Sequence, residues 1–286
     1  MLASGMVFAA MNVIIRHLGT DLPTIQSAFL RFAFGLVLVL PALVQAVRAG
    51  LPQASLRLFA ARGAVHSLAV VLWFFAMARL PVAEVTAIGY LNPVLVTIGA
   101  ALFLGERLAI RRVIAICVAL IGALIILRPG LRELGAPQFA QLSAATGFAA
   151  SYLIAKRLSQ FVGPATIVAI LSLAVTLVLL VPALMVWQPV SLAQLGWLAL
   201  VAVLATAGHY FMTRAFAAAP MAVTQPVTFL QLLWATILGV LVFGEPVDPW
   251  VILGGAVIMA AISYITWREA VIKRRTLTPT HAVTEG

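Results

Sequence analysis

Ala78–Arg107 reads ARLPVAEVTAIGYLNPVLVTIGAALFLGER, and Ala217–Pro246 reads AAAPMAVTQPVTFLQLLWATILGVLVFGEP. The two stretches align without a gap at an offset of 139 residues, and eight of the 26 positions between Pro81–Glu106 and Pro220–Glu245 are identical. Those positions include the opening Pro81/Pro220, the central Thr97/Thr236 and the closing Gly105-Glu106/Gly244-Glu245. Each copy is an apolar run of helix length that ends in Gly-Glu. A membrane chain that carries one such block twice reads as a pair of related halves, the sequence trace of a transporter.

Composition sets the solvent. Of 286 residues, 64% are hydrophobic and 9% charged. A water-soluble domain cannot hide that much apolar surface, so lipid must solvate it. The net charge of +10 does not point to nucleic acid, because the basic residues are scattered between apolar runs without interleaved aromatics. It reads as loop charge on a membrane protein. The single cysteine, Cys117, excludes an intrachain disulfide and a cysteine-based metal cluster. The opening apolar run, Leu2–Ile15 followed by Arg16, reads as a first span rather than a signal peptide.

Breakers divide the chain into ten helices, roughly 2–18, 24–46, 56–78, 82–104, 110–128, 139–159, 164–187, 192–215, 220–243 and 249–268. Each is near the ~20 residues needed to cross the hydrocarbon core. Short loops make neighbours antiparallel, and ten spans place both termini on one side. If that side is cytoplasmic, thirteen of the 18 Lys and Arg lie inside and four outside, with Arg31 within a span. Arg62 and Arg214 fall near helix ends, and eleven remain inside without them. The bias is the positive-inside pattern. Five spans per half is odd, so the halves must be threaded oppositely. The flanks agree: Gly105-Glu106 is followed by Arg107 and Arg111-Arg112, whereas Gly244-Glu245 is followed by Pro246, Val247 and Asp248. The expected units are residues 1–135 and 136–270, with 271–286 a disordered cytoplasmic tail.

The whole chain resembles the ten-span, two-repeat EamA-type members of the drug/metabolite transporter superfamily. The resemblance rests on Met11-Asn12-Val13, Phe29-Leu30-Arg31-Phe32, Trp73-Phe74-Phe75-Ala76, Pro81-Val82-Ala83-Glu84, Asn92-Pro93 and Gly105-Glu106-Arg107 in order. Within the superfamily the chain is similar in length and central aromatics to bacterial amino-acid exporters of the YddG type. The resemblance implies an all-α integral membrane fold, two inverted five-helix repeats around a central cavity lined mainly by spans 1, 3, 4, 6, 8 and 9. It also implies alternating access by rocking halves in a bacterial inner membrane.

Polar side chains are costly in lipid and usually face the bundle interior. On span 4, Thr86, Tyr90, Pro93 and Thr97 form one helical stripe beside Asn92. On span 9, Thr224, Thr228 and Gln231 recur in the same way, with Gln225 adjacent and Trp234 one turn on; Gln231 aligns with Asn92, and Phe229 with Tyr90. An amide and an aromatic ring at matching depth suit a zwitterion or amide on an apolar body; the competing reading is that small polar residues join helices. Asn12, Trp73, Tyr152 and His209 complete the expected substrate set, with His66 the weaker histidine. Pro93 and Pro226 interrupt their helices and are candidate hinges. Glu106 and Glu245 are candidate gates across the halves. Arg31 and Lys156 are assigned to snorkelling toward the interfaces.

All eight acids lie at or beyond helix ends, so no buried carboxylate chain is available for strong proton or sodium coupling. The expected function is a secondary transporter of a small neutral or zwitterionic solute, with export of apolar or aromatic amino acids foremost and nucleobases, nucleosides or hydrophobic drugs the alternative. No Gly-x-Ser-x-Gly, His-Glu-x-x-His or phosphate-binding loop is present, so neither an intramembrane enzyme nor a primary pump is expected. A structural or receptor bundle is the remaining class. Expected partners are a substrate molecule and lipid, without nucleic acid, cofactor or metal, for a monomer or weak dimer. In a Cys117→Ser background, Arg107→Cys and Asp248→Cys should label with an impermeant maleimide from opposite faces; labelling from one face would rule out inverted threading.

Overall fold

The computed structural model describes residues 2–104, 110–131, 133–218, 227 and 230–277. Every regular element among them is a helix. They are α1 (Leu2–Leu18), α2 (Thr24–Ala49), α3 (Gln53–Met77), α4 (Val82–Gly89), α5 (Leu91–Leu104), α6 (Ile110–Leu127), α7 (Ala136–Leu158), α8 (Pro164–Met185), α9 (Leu192–Ala218), α10 (Leu230–Phe243) and α11 (Pro249–Leu277). Prolines set several starts. Pro23, Pro52 and Pro81 occupy the N-cap positions of α2, α3 and α4, where a fixed φ and a missing N–H cost nothing. Gly244, at φ +64°, turns the chain out of α10, the left-handed stop that glycine allows.

The expected fourth span is not one helix. It breaks at Tyr90 between α4 and α5, where the Tyr90 N–H turns back to the Ala87 carbonyl at 3.1 Å. Pro93 explains the break, since it has no N–H to return to the Gly89 carbonyl. Two further boundaries move. Helix α3 begins at Gln53, so Arg62 lies ~14 Å inside the helix rather than at its end. Helix α11 runs to Leu277, past the expected boundary at residue 270. Residues 278–286 lie outside the described residues.

Among the described residues, six helical segments are long and apolar enough to cross a membrane: Thr24–Ala49, Ser55–Met77, Val82–Phe103, Pro164–Met185, Leu192–His209 and Pro249–Arg268. Leu2–Leu18, Val113–Leu127 and Leu230–Phe243 are shorter apolar helices. Helix α7 is long enough but too polar to count, and it packs along α3 and α5 inside the bundle. Large apolar side chains such as Val37, Leu102, Phe103, Leu177, Leu184 and Leu241 lie on the exterior, a surface suited to lipid.

Among the described residues, each of the four apolar clusters draws on both sequence halves, and the two largest show it best. One core joins α1, α2 and α3 to α7, α8 and α9 through Met11, Phe32, Phe74, Met77, Val175 and Val201. The other joins α4, α5 and α6 to α10 and α11 through Ile88, Val94, Ile116, Leu232 and Ile258. The pairings exchange between halves: α1 packs on α9 as α3 packs on α7, and α2 meets α9 as α8 meets α3. Helices α2 with α8, and α6 with α11, face their own counterparts.

The α6–α11 contact is backbone on backbone. A Cβ built on Gly254 would lie 2.5 Å from the Gly122 carbonyl oxygen, and one on Gly122 would lie 2.8 Å from the Gly254 oxygen. Small residues give such close approach in membranes. Gly254→Ala should therefore cost about 1–3 kcal/mol, read as a lower unfolding temperature in detergent. Gly196→Ala, where a Cβ meets nothing within 4 Å, should show no loss; equal behaviour of the two variants would refute the contact.

Candidate functional site

The break between α4 and α5 leaves backbone groups that lipid cannot satisfy. Helix α7 is the main neighbour bonded to this region. Gln141 Nε2 donates to the Val85 carbonyl at 3.0 Å, and Asn92 Nδ2 donates to the Ala145 carbonyl at 3.2 Å. Gln138 Nε2 donates to Glu84 Oε1 at 3.3 Å, and the Glu84 side chain is buried. From the other side, the Tyr90 hydroxyl oxygen accepts the Leu232 N–H at 3.1 Å, one of the amides that the first turn of α10 leaves without a helical partner.

The expected site residues divide accordingly. Asn12 is buried and donates to Thr86 Oγ1 at 3.4 Å, while Thr86 returns its proton to the Val82 carbonyl. Thr97 donates to the Pro93 carbonyl at 2.9 Å. Trp73 stacks edge-on against Phe74 at 5.3 Å. Trp234 Nε1 is buried without a partner among the described residues, and Gln231 is half-buried with its Cβ facing Gly5. Gln225, Pro226, Thr228 and Glu106 lie outside the described residues. Among the described residues, the polar atoms of Asn12, Tyr90 and Asn92 join α1 to α4, the broken span to α10 and α5 to α7, while Thr86 and Thr97 donate within their own helices.

A cavity of about 260 Å³ lies elsewhere, among α2, α3, α7, α8 and α9. Of the expected lining spans 1, 3, 4, 6, 8 and 9, this cavity shares spans 3, 6 and 8. Tyr152 and His209 do line it, joined by Arg31, Arg62 and His66. Arg62 is 5% exposed; its Nε donates to Ser151 Oγ at 3.3 Å and its Nη1 to the Ile167 carbonyl at 3.1 Å. Ser151 Oγ also lies 3.0 Å from His66 Nδ1. Arginine only donates, so the assignment that uses each donor once gives the serine proton to His66 Nδ1 and leaves the histidine proton on Nε2. The His66 ring is edge-on to Phe32 and Phe148 at 6.0 and 5.2 Å. The Arg31 guanidinium stands 4.0 Å over the Phe32 ring. No aspartate or glutamate lines the cavity.

Arg31, Arg62 and His66 are not among the expected substrate residues: Arg31, within span 2, is assigned to snorkelling, Arg62 to a helix end, and His66 is the weaker histidine. The available signal was their type, since an ionisable group inside a span marks a functional position by default.

The cavity reaches deep into the bundle: Arg31 is ~10 Å from the start of α2, while Arg62 is ~14 Å from the start of α3 and Tyr152 ~9 Å from the end of α7, which lie at the other face. That other face carries the basic residues Arg48 and Arg157. The opposite face is fastened. Arg16 Nε donates to Glu245 Oε1 at 3.2 Å, Arg16 Nη1 donates to the Ala78 carbonyl at 2.6 Å, and Glu245 Oε2 accepts the Val82 N–H at 3.0 Å. One carboxylate thus pairs with the end of α1 and caps the start of α4. A second ion pair, Arg128 with Asp248, joins the end of α6 to the start of α11.

The model of the EamA-like transporter family matches this sequence twice, over residues 1–128 and 137–267. The chain belongs to that family. A riboflavin transporter of Vibrio cholerae is 29% identical over 96% of this chain and 94% of its own length. A pseudopaline exporter of Pseudomonas aeruginosa is 27% identical over 89% of this chain and 90% of its own. An S-adenosylmethionine uptake transporter of Rickettsia bellii is 27% identical over 91% and 90%. A solved crystal structure covered over 99% of its chain, and 96% of this one, superposes with a TM-score of 0.59 at 18% identity, a likeness of fold. All three relatives are drug/metabolite transporters of small solutes, and this EamA-family chain is a multi-pass membrane protein.

The clamp yields a stability prediction. Arg16 and Glu245 side chains are 24% and 10% exposed, so the pair is partly screened and its coupling should be about 1 kcal/mol. A double-mutant cycle of Arg16→Gln and Glu245→Gln, read by SDS unfolding in mixed micelles, should recover that coupling. Strict additivity of the two variants would show that the pair contributes nothing.

Proposed function

We propose that this chain is a secondary transporter that carries a small organic solute through the cavity among α2, α3, α7, α8 and α9 by alternating access. The observation that carries this reading is the pairing of a partly open cavity near one face with an ionic clamp at the other. A carrier needs that asymmetry, and a receptor bundle does not. The two family matches and the exchanging helix pairings support two inverted five-helix units, residues 1–135 and 136–270. With the basic loops cytoplasmic in the bacterial inner membrane, the cavity is the inward-open one and the Arg16–Glu245 clamp is the closed outer gate, with Pro93 at the hinge of the broken span.

The relatives are named for one export and one uptake activity, so the family leaves direction open. They are also named for solutes other than amino acids. Export of aromatic amino acids is a second reading, favoured by the Phe32 and Phe148 rings beside the cavity. No catalytic constellation is assigned to the site, and no cofactor is required.

In a Cys117→Ser chain, Arg16→Cys and Glu245→Cys joined by a short cleavable cross-linker should stop counterflow in proteoliposomes, and reductive cleavage of the linker should restore it. The flux panel includes riboflavin, S-adenosylmethionine, nucleosides and amino acids. Undiminished exchange with the cross-link in place would exclude the clamp from the cycle.

A further inference from the structure

We propose that the cavity is a binding site for the anionic group, carboxylate or phosphate, of an organic solute, with Arg31 and Arg62 as its ligands. The proposal deepens the transport reading above and rests on the same cavity. Arg62 is buried, spends two donors on Ser151 and the Ile167 carbonyl, and faces no carboxylate in the cavity wall. A buried guanidinium without a counter-charge is expensive. Arg31, ~10 Å into α2, makes no hydrogen bond or ion pair with the described residues and rests on the Phe32 ring. A guanidinium held against a ring through its face keeps its N–H edge for a planar or tetrahedral oxyanion.

The rest of the wall suits the same ligand. His66, with its Nδ1 taken by Ser151, has an Nε2–H donor left. The Tyr152, Ser172 and Thr206 hydroxyls lie on α7, α8 and α9 across the cavity; Thr206 spends its own proton on the Ala202 carbonyl, at 3.0 Å. The charges come from one half of the sequence and the hydroxyls from the other. An ammonium would meet two cations here and no acid, because the acids near the bundle interior, Glu84, Glu245 and Asp248, line a separate pocket at the clamped face. The site therefore selects against amines and neutral solutes and corrects the expectation of a charge-free path. One energetic consequence follows: an anion leaving a cell with a negative interior moves down the membrane potential, so export needs no carboxylate relay.

Binding is measured by calorimetry on the purified full chain in lipid-free detergent, with matched probes: benzoate, phenyl phosphate, benzylamine and benzyl alcohol. Benzoate or phenyl phosphate should bind saturably and the amine and alcohol at least tenfold more weakly. Arg31→Gln, which removes no hydrogen bond seen in the fold, should weaken the anion at least tenfold. Arg62→Lys keeps the charge and should lose less than Arg62→Gln. Binding of neither anion, equal binding of the amine, or full affinity in Arg31→Gln would overturn the proposal. So would displacement of the site only by phosphatidylglycerol, which would assign the arginines to a lipid headgroup. No flux is read in this test, so its failure leaves the cross-linking result standing, and a failed cross-link leaves this one standing.

Discussion

Every backbone amide and carbonyl in the hydrocarbon region must find a protein partner, and the break at Tyr90 is where this chain meets that demand most visibly. An unsatisfied group there costs several kcal/mol. Side chains tie the broken span to two neighbouring helices: Gln141 of α7 donates to the Val85 carbonyl, and the span's own Asn92 and Tyr90 reach the Ala145 carbonyl of α7 and the Leu232 amide of α10. Helix α7 is too polar to read as a span by composition because it is the repair strip for this break. Its polarity is affordable because α3 and α5 cover it from lipid.

The same rule applied to charge separates the two ends of the molecule. At the clamped face, Arg16 is neutralised by Glu245 and Arg128 by Asp248. Both pairs are partly exposed, so each can be exchanged for water at modest cost. At the other end, Arg62 is surrounded by neutral acceptors that share its charge without cancelling it. Serine and carbonyl contacts hold the side chain in place while leaving net positive charge in the cavity. One end is thus held by interactions that can be broken reversibly, and the other keeps an electrostatic need that a ligand can meet.

Much of the architecture was legible in the sequence. The duplicated block, the ten apolar segments and the charge bias led to the family, and the Gly244 stop and the break near Pro93 were visible as residue types. The site was far less legible, for a physical reason. The Thr86, Tyr90, Asn92 and Thr97 stripe has the spacing of a cavity lining, but spacing reports only that these residues share a side of a helix. It does not report whether their hydrogen bonds go to a solute or to the Val82, Ala145 and Pro93 carbonyls, as they do here. Arg62 was passed over because it stood within two turns of the expected start of its helix and was counted with the loop charges; the helix begins three residues earlier, at Gln53. The interleaving of the cores was invisible because apolar periodicity names a buried face and not its partner.

That interleaving limits how the molecule can move. If the halves 1–135 and 136–270 rocked as bodies, α1 would slide on α9 and α3 on α7, tearing the core that Phe32, Phe74, Met77 and Val201 share. A division between α1, α2, α3, α7, α8 and α9 on one side and α4, α5, α6, α10 and α11 on the other keeps more of both cores together, but it loads the α1–α10 and α5–α7 contacts and the Gln141–Val85 and Asn92–Ala145 bonds. Helices α4 and α10 lie at that division, since Val82, Val85 and Ala235 pack with the first group while Ile88 and Leu232 pack with the second. The Gly122–Gly254 contact, backbone against backbone, leaves α6 and α11 little freedom relative to each other. Under the transport proposal, displacement falls where the chain lacks helical hydrogen bonds, at Tyr90, and where the joint is ionic, at Arg16 and Glu245. On that proposal the break and the clamp act as one mechanical element: the first supplies the bend, and the second holds it until the charges part.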